Sequence, residues 1–204
     1  MIFIVVLAVG GFWWRTEPVP PPVELPTNPV PWEQFWRQYL APTLPVADAF
    51  ALPLFPPDGV GAYVRRGFGE RQNLGEDWAL EPGQQAGAVT VSAVADGVVI
   101  LADDFGAVWG KVVIMLHRLP AGAPWPAVES MYANLASLRV RRGDRLTKGS
   151  PVGALGDGSA TATPELHFEI RTELGRLLGP GEGDWAEGWV NPSKFIAARQ
   201  RAGR

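Results

Sequence analysis

The sequence has no cysteine, and only two of its 204 residues are histidine. The absence of cysteine excludes disulfide bonds and thiolate metal sites, so a metal site would need His, Asp or Glu as ligands. The formal charge of -3 creates no global positive field that would attract nucleic acid or an anionic membrane. We therefore expect no nucleic-acid partner, and any charged contact must come from a local patch.

The chain also lacks an apolar run of the ~20 residues that cross a bilayer as a helix. Its first segment, IFIVVLAVGGFWW from Ile2 to Trp14, is apolar but shorter. It fits a signal peptide or a short membrane anchor, although no Lys or Arg precedes it and no small-residue cleavage motif follows it. We predict residues 1–16 to be an export segment that allows membrane contact; a buried N-terminal strand is the alternative.

Proline and glycine are abundant, at 20 and 24 residues, which favours a turn-rich β domain over a helical bundle. Prolines recur between Glu17 and Pro31 and predict an extended tether. The segment PWEQFWRQYL then places its large apolar residues at the spacing of one helix face. We predict residues 17–51 to be a Pro-rich linker with a short aromatic helix. That helix docks on the chain's own β domain or, alternatively, on a membrane or partner.

From about Leu52 short apolar runs alternate with Gly, Asp and Pro, which is typical of β-strands joined by tight turns. KVVIMLHRL, SMYANLASLRV and ELHFEIRTE each predict a strand. TVSAVADGVVILADD predicts two strands joined by a hairpin turn at Asp96-Gly97. Asn191-Pro192 predicts the start of a terminal helix.

Several motifs follow one another in a fixed order: GFGERQNLGEDW, SAVADGVV, MYANL, VRRGDRLTKGSPVGALG and PELHFEIR. In this order they resemble the lysostaphin-type (LytM-type) zinc endopeptidases that hydrolyse peptidoglycan. The resemblance covers about Leu52 to Ile196. It implies a mainly β fold, the duplicated hybrid motif, which is a barrel-sandwich-like antiparallel sheet with short flanking helices. We accordingly predict one peptidase-like β domain over residues 52–200.

The resemblance implies a zinc site built from an H-x-x-x-D motif and the second histidine of an H-x-H motif. The matching residues here are Asn73, Asp77 and His167, so one of the three ligands is replaced. A neutral amide oxygen is a poor zinc donor beside imidazole, and the affinity for zinc should fall by orders of magnitude. We expect no bound cofactor, with zinc as the cofactor if the site still functions.

The family's two catalytic histidines correspond to Asn134 in MYANL and Glu165 in PELHFE. Asn cannot accept a proton, and an ionised Glu would repel an oxyanion, so neither is an obvious replacement. Alternatively, Asp77, Glu165 and His167 form a two-carboxylate, one-imidazole metal site, because residues two apart on a strand face the same side. His117 lies apart from these motifs and is interpreted as a structural histidine.

These substitutions favour a non-catalytic protein of the cell envelope that binds peptidoglycan or regulates a partner wall hydrolase. The alternative is an active zinc endopeptidase that cleaves peptidoglycan cross-links with an atypical ligand set. A biotinyl or lipoyl carrier is disfavoured, because Lys111, Lys148 and Lys194 do not follow the predicted hairpin where the carrier lysine would fall. The loop GALGDG lacks the Lys-Ser/Thr pair of a nucleotide-binding loop.

Overall fold

The computed structural model describes residues 36, 41–54, 61–81, 89–156, 164–175, 178, 181–183 and 187–200. Antiparallel strands make up most of its regular structure, which confirms the predicted mainly β fold. The predicted export segment lies outside these ranges, as does residue range 17–40 of the linker apart from Trp36. Within the described ranges, no helix is long and apolar enough to cross a membrane.

The described residues form ten strands. In chain order they are β1 Ala62–Arg66, β2 Glu76–Leu80, β3 Thr90–Ser92, β4 Gly97–Asp104, β5 Lys111–Arg118, β6 Ala127–Leu138, β7 Arg145–Leu146, β8 Pro151–Leu155, β9 Glu165–Arg171 and β10 Trp189–Val190. Two short α-helices, α1 Gly106–Trp109 and α2 Pro192–Ala197, and two single 3-10 turns, Ala41–Thr43 and Glu70–Gln72, complete the regular structure.

The strands join into one antiparallel sheet with the order β1-β2-β9-β6-β5-β4-β7. Outside this order, β10 pairs with β9, β8 pairs with β6, and β3 pairs with β8. The strands predicted from KVVIMLHRL, SMYANLASLRV and ELHFEIRTE are β5, β6 and β9, which lie side by side near the centre. The predicted terminal helix is α2, and the Asn191 Oδ1 caps it by accepting from the Lys194 N–H at 2.8 Å.

Apolar side chains cover the central strand β5 on both faces. Val113 and Met115 belong to one apolar cluster, and Val112, Ile114 and Leu116 belong to another. Because side chains alternate along a strand, the two clusters lie on opposite faces of β5. Strand β5 is therefore an internal layer of the fold, and a polar side chain within it, such as His117, is desolvated.

The segment before the first strand packs against this sheet. Its Ala47 N–H donates to the Arg118 carbonyl at the end of β5, at 2.7 Å. Phe50 is buried with its ring edge-on to His117 and to Phe195 of α2. Trp36 is also buried, in the cluster that contains Ile114. The core thus includes residues ahead of position 52, where the boundary of the β domain was predicted; that boundary stays a prediction.

The hairpin predicted at Asp96-Gly97 is wrong. The two strands exist, but β3 pairs with β8, whereas β4 pairs with β5 and β7. Gly97 does not adopt a positive φ. It is required by close packing, because a Cβ there would lie 2.5 Å from the Leu116 carbonyl oxygen and 2.7 Å from His117 Nδ1.

Both ring nitrogens of His117 have partners within the core. Nδ1 lies 2.9 Å from the Asp96 carbonyl oxygen, and Nε2 lies 2.7 Å from Ser130 Oγ. Complete burial lowers the pKa of His117 to about 4, so the imidazole is neutral at physiological pH. This agrees with its interpretation as a structural histidine.

Candidate functional site

The sheet brings the predicted site residues together on neighbouring strands. Asp77 of β2 and His167 of β9 are directly opposite each other, and His167 is also opposite Ala133 of β6. Asn134 therefore follows at the next position of β6, and Glu165 begins β9. Asn73 lies in the turn just before β2. All five predicted residues are buried.

His167 is held between two carboxylates. Its Nδ1 is 2.7 Å from Asp77 Oδ1, and its Nε2 is 2.9 Å from Glu169 Oε1. Burial alone would favour the neutral ring, but the hydrogen bonds to Asp77 and Glu169 outweigh it and raise the pKa of His167 to about 9. The ring is therefore an imidazolium that donates from both nitrogens.

Glu169 links this pair to two further buried side chains. Its Oε2 accepts from Arg171 Nε at 2.6 Å and from Trp189 Nε1 at 2.8 Å. Burial opposes the carboxylate, but His167 and Arg171 outweigh it and lower the pKa of Glu169 to about 2. Glu169 and Arg171 are not among the site residues predicted from the sequence motifs. The signal was present, since every second residue of the buried strand ELHFEIR is ionisable.

Two arginines of β1 engage the remaining site carboxylates. Arg66 Nε donates to Asp77 Oδ2 at 2.6 Å, and its Nη1 contacts Glu182. Arg65 pairs with Glu165. Burial opposes the Asp77 carboxylate, but its bonds from His167 and Arg66 hold its pKa below the ordinary value. These arginines were also missed, because their positions depend on the pairing of β1 with β2.

Asn73, at the first predicted ligand position, is committed to local backbone contacts. Its Oδ1 accepts from the Gly75 N–H at 3.0 Å, and its Nδ2 donates to the Arg66 carbonyl at 3.3 Å. The two residues before it, Arg71 and Gln72, have φ of 47° and 65°. Asn73 thus closes a strained turn rather than offering a free donor atom.

Asn134 occupies a β-bulge in β6, where the register against β5 shifts between Val113 and Lys111. Its φ is 62°, and the described residues offer its buried Oδ1 no hydrogen-bond partner. In the described ranges, the non-glycine residues with a positive φ are Arg71, Gln72 and Asn134. Such backbone costs about 1–3 kcal/mol for most residues and is typical of functional sites. Asn adopts it more readily than other non-glycine residues. Arg71 and Gln72 directly precede the first predicted ligand position, and Asn134 is itself a predicted catalytic position.

The residues at the zinc-ligand positions do not fit a zinc ion as they stand. Two ligands of a tetrahedral zinc lie ~3.3 Å apart, given metal–ligand distances near ~2.0 Å, whereas the Asp77 and His167 atoms are in hydrogen-bond contact. Both oxygens of Asp77 and both nitrogens of His167 already have partners. Across the described part of the chain, no three His, Asp or Glu side chains are grouped to hold a metal. That includes the alternative set with Glu165.

An aromatic side chain closes this end of the site. Trp109, at the end of α1, lies edge-on to His167 with the ring centroids 5.5 Å apart. Its indole also fills the space beside Gly181, where a Cβ would come within 2.5 Å of the ring. The imidazolium is therefore shielded by an indole as well as by its two carboxylates.

Comparison with known proteins identifies a family. The sequence model of peptidase family M23 matches residues 71–180, which contain every predicted site residue. No curated protein sequence matches the chain. Chains in the crystal structure of the SpoIIIAH and SpoIIQ complex and in the SpoIIQ-SpoIIIAH pore-forming complex share the fold. Their TM-scores are both 0.52, with identities of 22% and 21%.

The extent of these structural matches differs. Each of the two complexes matches over 72% of this chain, and over 99% and 90% of the other chain. A zinc-containing peptidase from Vibrio cholerae matches at 19% identity and a TM-score of 0.49. That match covers 61% of this chain and 37% of the peptidase, so this chain spans well under two thirds of its length.

Proposed function

The chain belongs to peptidase family M23, and we propose that it is a non-catalytic member that acts in the cell envelope as a peptidoglycan-binding or hydrolase-regulating module. The family match confirms the resemblance drawn from the sequence motifs. One observation carries the proposal. The atoms of Asp77 and His167 that would bind a metal are hydrogen-bonded to each other, to the half-buried Arg66 and to the buried Glu169 in one continuous network.

Zinc-dependent hydrolysis needs three protein ligands and an open position for the water that attacks the peptide bond. In this chain the imidazole would first have to lose a proton that two carboxylates hold in place. The groups at the catalytic positions are also unsuited, because Asn134 accepts no proton and Glu165 is engaged by Arg65. These features support the loss of turnover.

The site retains features that suit ligand binding. Asn134 is 6% exposed, and its Oδ1 is left without a hydrogen-bond partner among the described residues. An unmet acceptor in such a place costs about 1–3 kcal/mol. Because the oxygen itself is buried, a ligand N–H would recover this cost only after neighbouring side chains move aside. The peptide stems of peptidoglycan present backbone N–H groups, so they match the chemistry that this acceptor lacks.

A protein partner is the second form of the same proposal. The SpoIIIAH and SpoIIQ structures are of complexes between proteins, and they share this fold. The export segment predicted at residues 1–16 would bring the domain to the envelope, where wall polymers and wall hydrolases both occur. A non-catalytic domain there acts by occupying a wall peptide or by docking on a hydrolase.

The test combines metal content, hydrolysis and binding, measured on the full chain. After dialysis against buffered zinc, we expect no more zinc in the wild-type protein than in Asp77→Ala and His167→Ala. We also expect no release of peptides from purified peptidoglycan, but sedimentation of the protein with it. Near-stoichiometric zinc that both variants lose, together with peptide release, would establish the active endopeptidase instead.

A further inference from the structure

The end of strand β1 turns two consecutive arginines toward acidic residues of the site. In a regular strand, neighbouring side chains point to opposite faces. Here the register shifts after Val64, so that Val64 is opposite Trp78 and Arg66 is opposite Asp77, with Arg65 as the extra residue of a β-bulge. The bulge lets Arg65 reach Glu165 while Arg66 reaches Asp77.

Arg66 supplies the positive charge that the buried Asp77 carboxylate requires. The Asp77 side chain is 3% exposed, and a buried carboxylate persists only when it is paired and hydrogen-bonded. One oxygen accepts from His167, and Arg66 Nε occupies the other at 2.6 Å. A divalent metal that bound Asp77 would have to displace this bond and approach a guanidinium of like charge.

Asn73 helps to hold Arg66 in this position. Its Nδ2 donates to the Arg66 carbonyl, and the backbone of Asn73 forms an isolated β-bridge with Glu182. The Glu182 carboxylate in turn accepts from Arg66 Nη1. Asn73, at the predicted first-ligand position, therefore helps to hold Arg66 in place. The replaced ligand and the arginine belong to one hydrogen-bonded arrangement.

We propose that Arg66 is the resident cation of this site: it neutralises Asp77 in place of a metal ion and, as a positioning residue, excludes zinc. The loss of a ligand at Asn73 is then not the only barrier to zinc. Replacing Asn73 by the histidine of the family motif would not by itself allow zinc to bind, because Arg66 must also be removed. This inference rests on the proposed non-catalytic function.

The experiment measures zinc uptake by the full chain at pH 7.5, by equilibrium dialysis and by the shift in Tm between added zinc and added EDTA. The variants are Asn73→His, Arg66→Met, and the two combined, with Arg65→Met as the matched control from the same bulge. We expect zinc-dependent stabilisation only in the combined variant, with at least a tenfold tighter uptake than in Asn73→His alone. Arg66→Lys combined with Asn73→His should remain closed to zinc, because the charge is kept.

Circular dichroism first shows which variants are folded. Arg66→Gln keeps a donor for Asp77 without the charge, and it replaces Arg66→Met if that variant does not fold. If Asn73→His takes up as much zinc with Arg66 present as with Arg66 replaced, the role of Arg66 is overturned, but the proposed function is not. Stoichiometric zinc in the wild-type chain is a separate result, because it overturns the proposed function as well.

Discussion

Asp77 and His167 face each other across β2 and β9, with Oδ1 and Nδ1 only 2.7 Å apart. On either side of this pair the alternation of charge continues, through Arg66 at one end and Glu169 at the other. The network therefore connects β1, β2 and β9 through side chains as well as through backbone hydrogen bonds. Its members should contribute to folding stability whether or not the site binds a ligand.

Removal of the Asp77 carboxylate should destabilise the protein strongly. Asp77→Ala removes one of the two carboxylates that hold His167 and leaves Arg66 with only the exposed Glu182. Breaking a buried charge pair in this way costs about 3–5 kcal/mol. Urea unfolding at pH 7 measures the change. Asp144→Ala is the control, because Asp144 pairs with an exposed Arg141 and should cost about 1 kcal/mol or less. Similar losses in both variants would contradict the role of the network.

The burial of neutral His117 should make stability fall with acidification. Its pKa is lowered from 6.5 to about 4 in the folded state, so below pH 6.5 the unfolded chain binds a proton that the folded chain does not. The resulting loss between pH 6.5 and about 4 amounts to roughly 3 kcal/mol. Unfolding measured over this range for wild type and His117→Gln checks it, since the variant should lack this part of the slope.

Glu129 should act in the opposite direction. Burial raises its pKa from 4.5 to about 7, so the folded state holds the proton and the contribution to stability is lost as the pH rises between these values. Its Oε2 also has no hydrogen-bond partner among the described residues. Glu129→Gln should therefore be more stable than wild type at pH 8, by about 2–3 kcal/mol, and no more stable near pH 4. A destabilised variant at pH 8 would show instead that the ionised Glu129 carboxylate has a stabilising partner.

Gly97→Ala should disturb the packing of β4 on β5. The added Cβ would meet the Leu116 carbonyl oxygen and His117 Nδ1 below 3 Å, and such overpacking costs about 1–3 kcal/mol. Gly67→Ala is the matched control, because its nearest neighbour would be Glu70 Oε2 at 4.0 Å. Thermal unfolding of both variants should show a clear loss only for Gly97→Ala.

Asn134→Gly should separate stability from binding. Glycine adopts the positive φ at this position without strain, and the change also removes the unmet acceptor, so stability should be unchanged or up to ~1 kcal/mol higher. Sedimentation with peptidoglycan should nevertheless weaken if Asn134 contacts the ligand. Unchanged sedimentation would show that Asn134 does not contact the ligand.

The sequence predicts those parts of the site that depend on local pattern. Alternating apolar residues locate β5, β6 and β9, and the order of the motifs selects Asp77 and His167, which do meet across the sheet. Arg66 is not predictable in this way, because its direction depends on a bulge that arises only when β1 pairs with β2. The hairpin at Asp96-Gly97 fails for a similar reason: the dipeptide marks a turn, but competition among all strands decides which of them pair.

The path of residues 44–54 limits where the chain can be truncated without exposing its core. Leu44 belongs to the apolar cluster on one face of β5, whereas Phe50 and Leu54 belong to the cluster on the other. The chain thus crosses from one side of the sheet to the other beside the end of β5. A fragment cut just after this crossing would expose unmatched apolar surface on both sides and should self-associate. We therefore expect a unit that begins ahead of Trp36 to stay monomeric where one that begins after Leu54 self-associates.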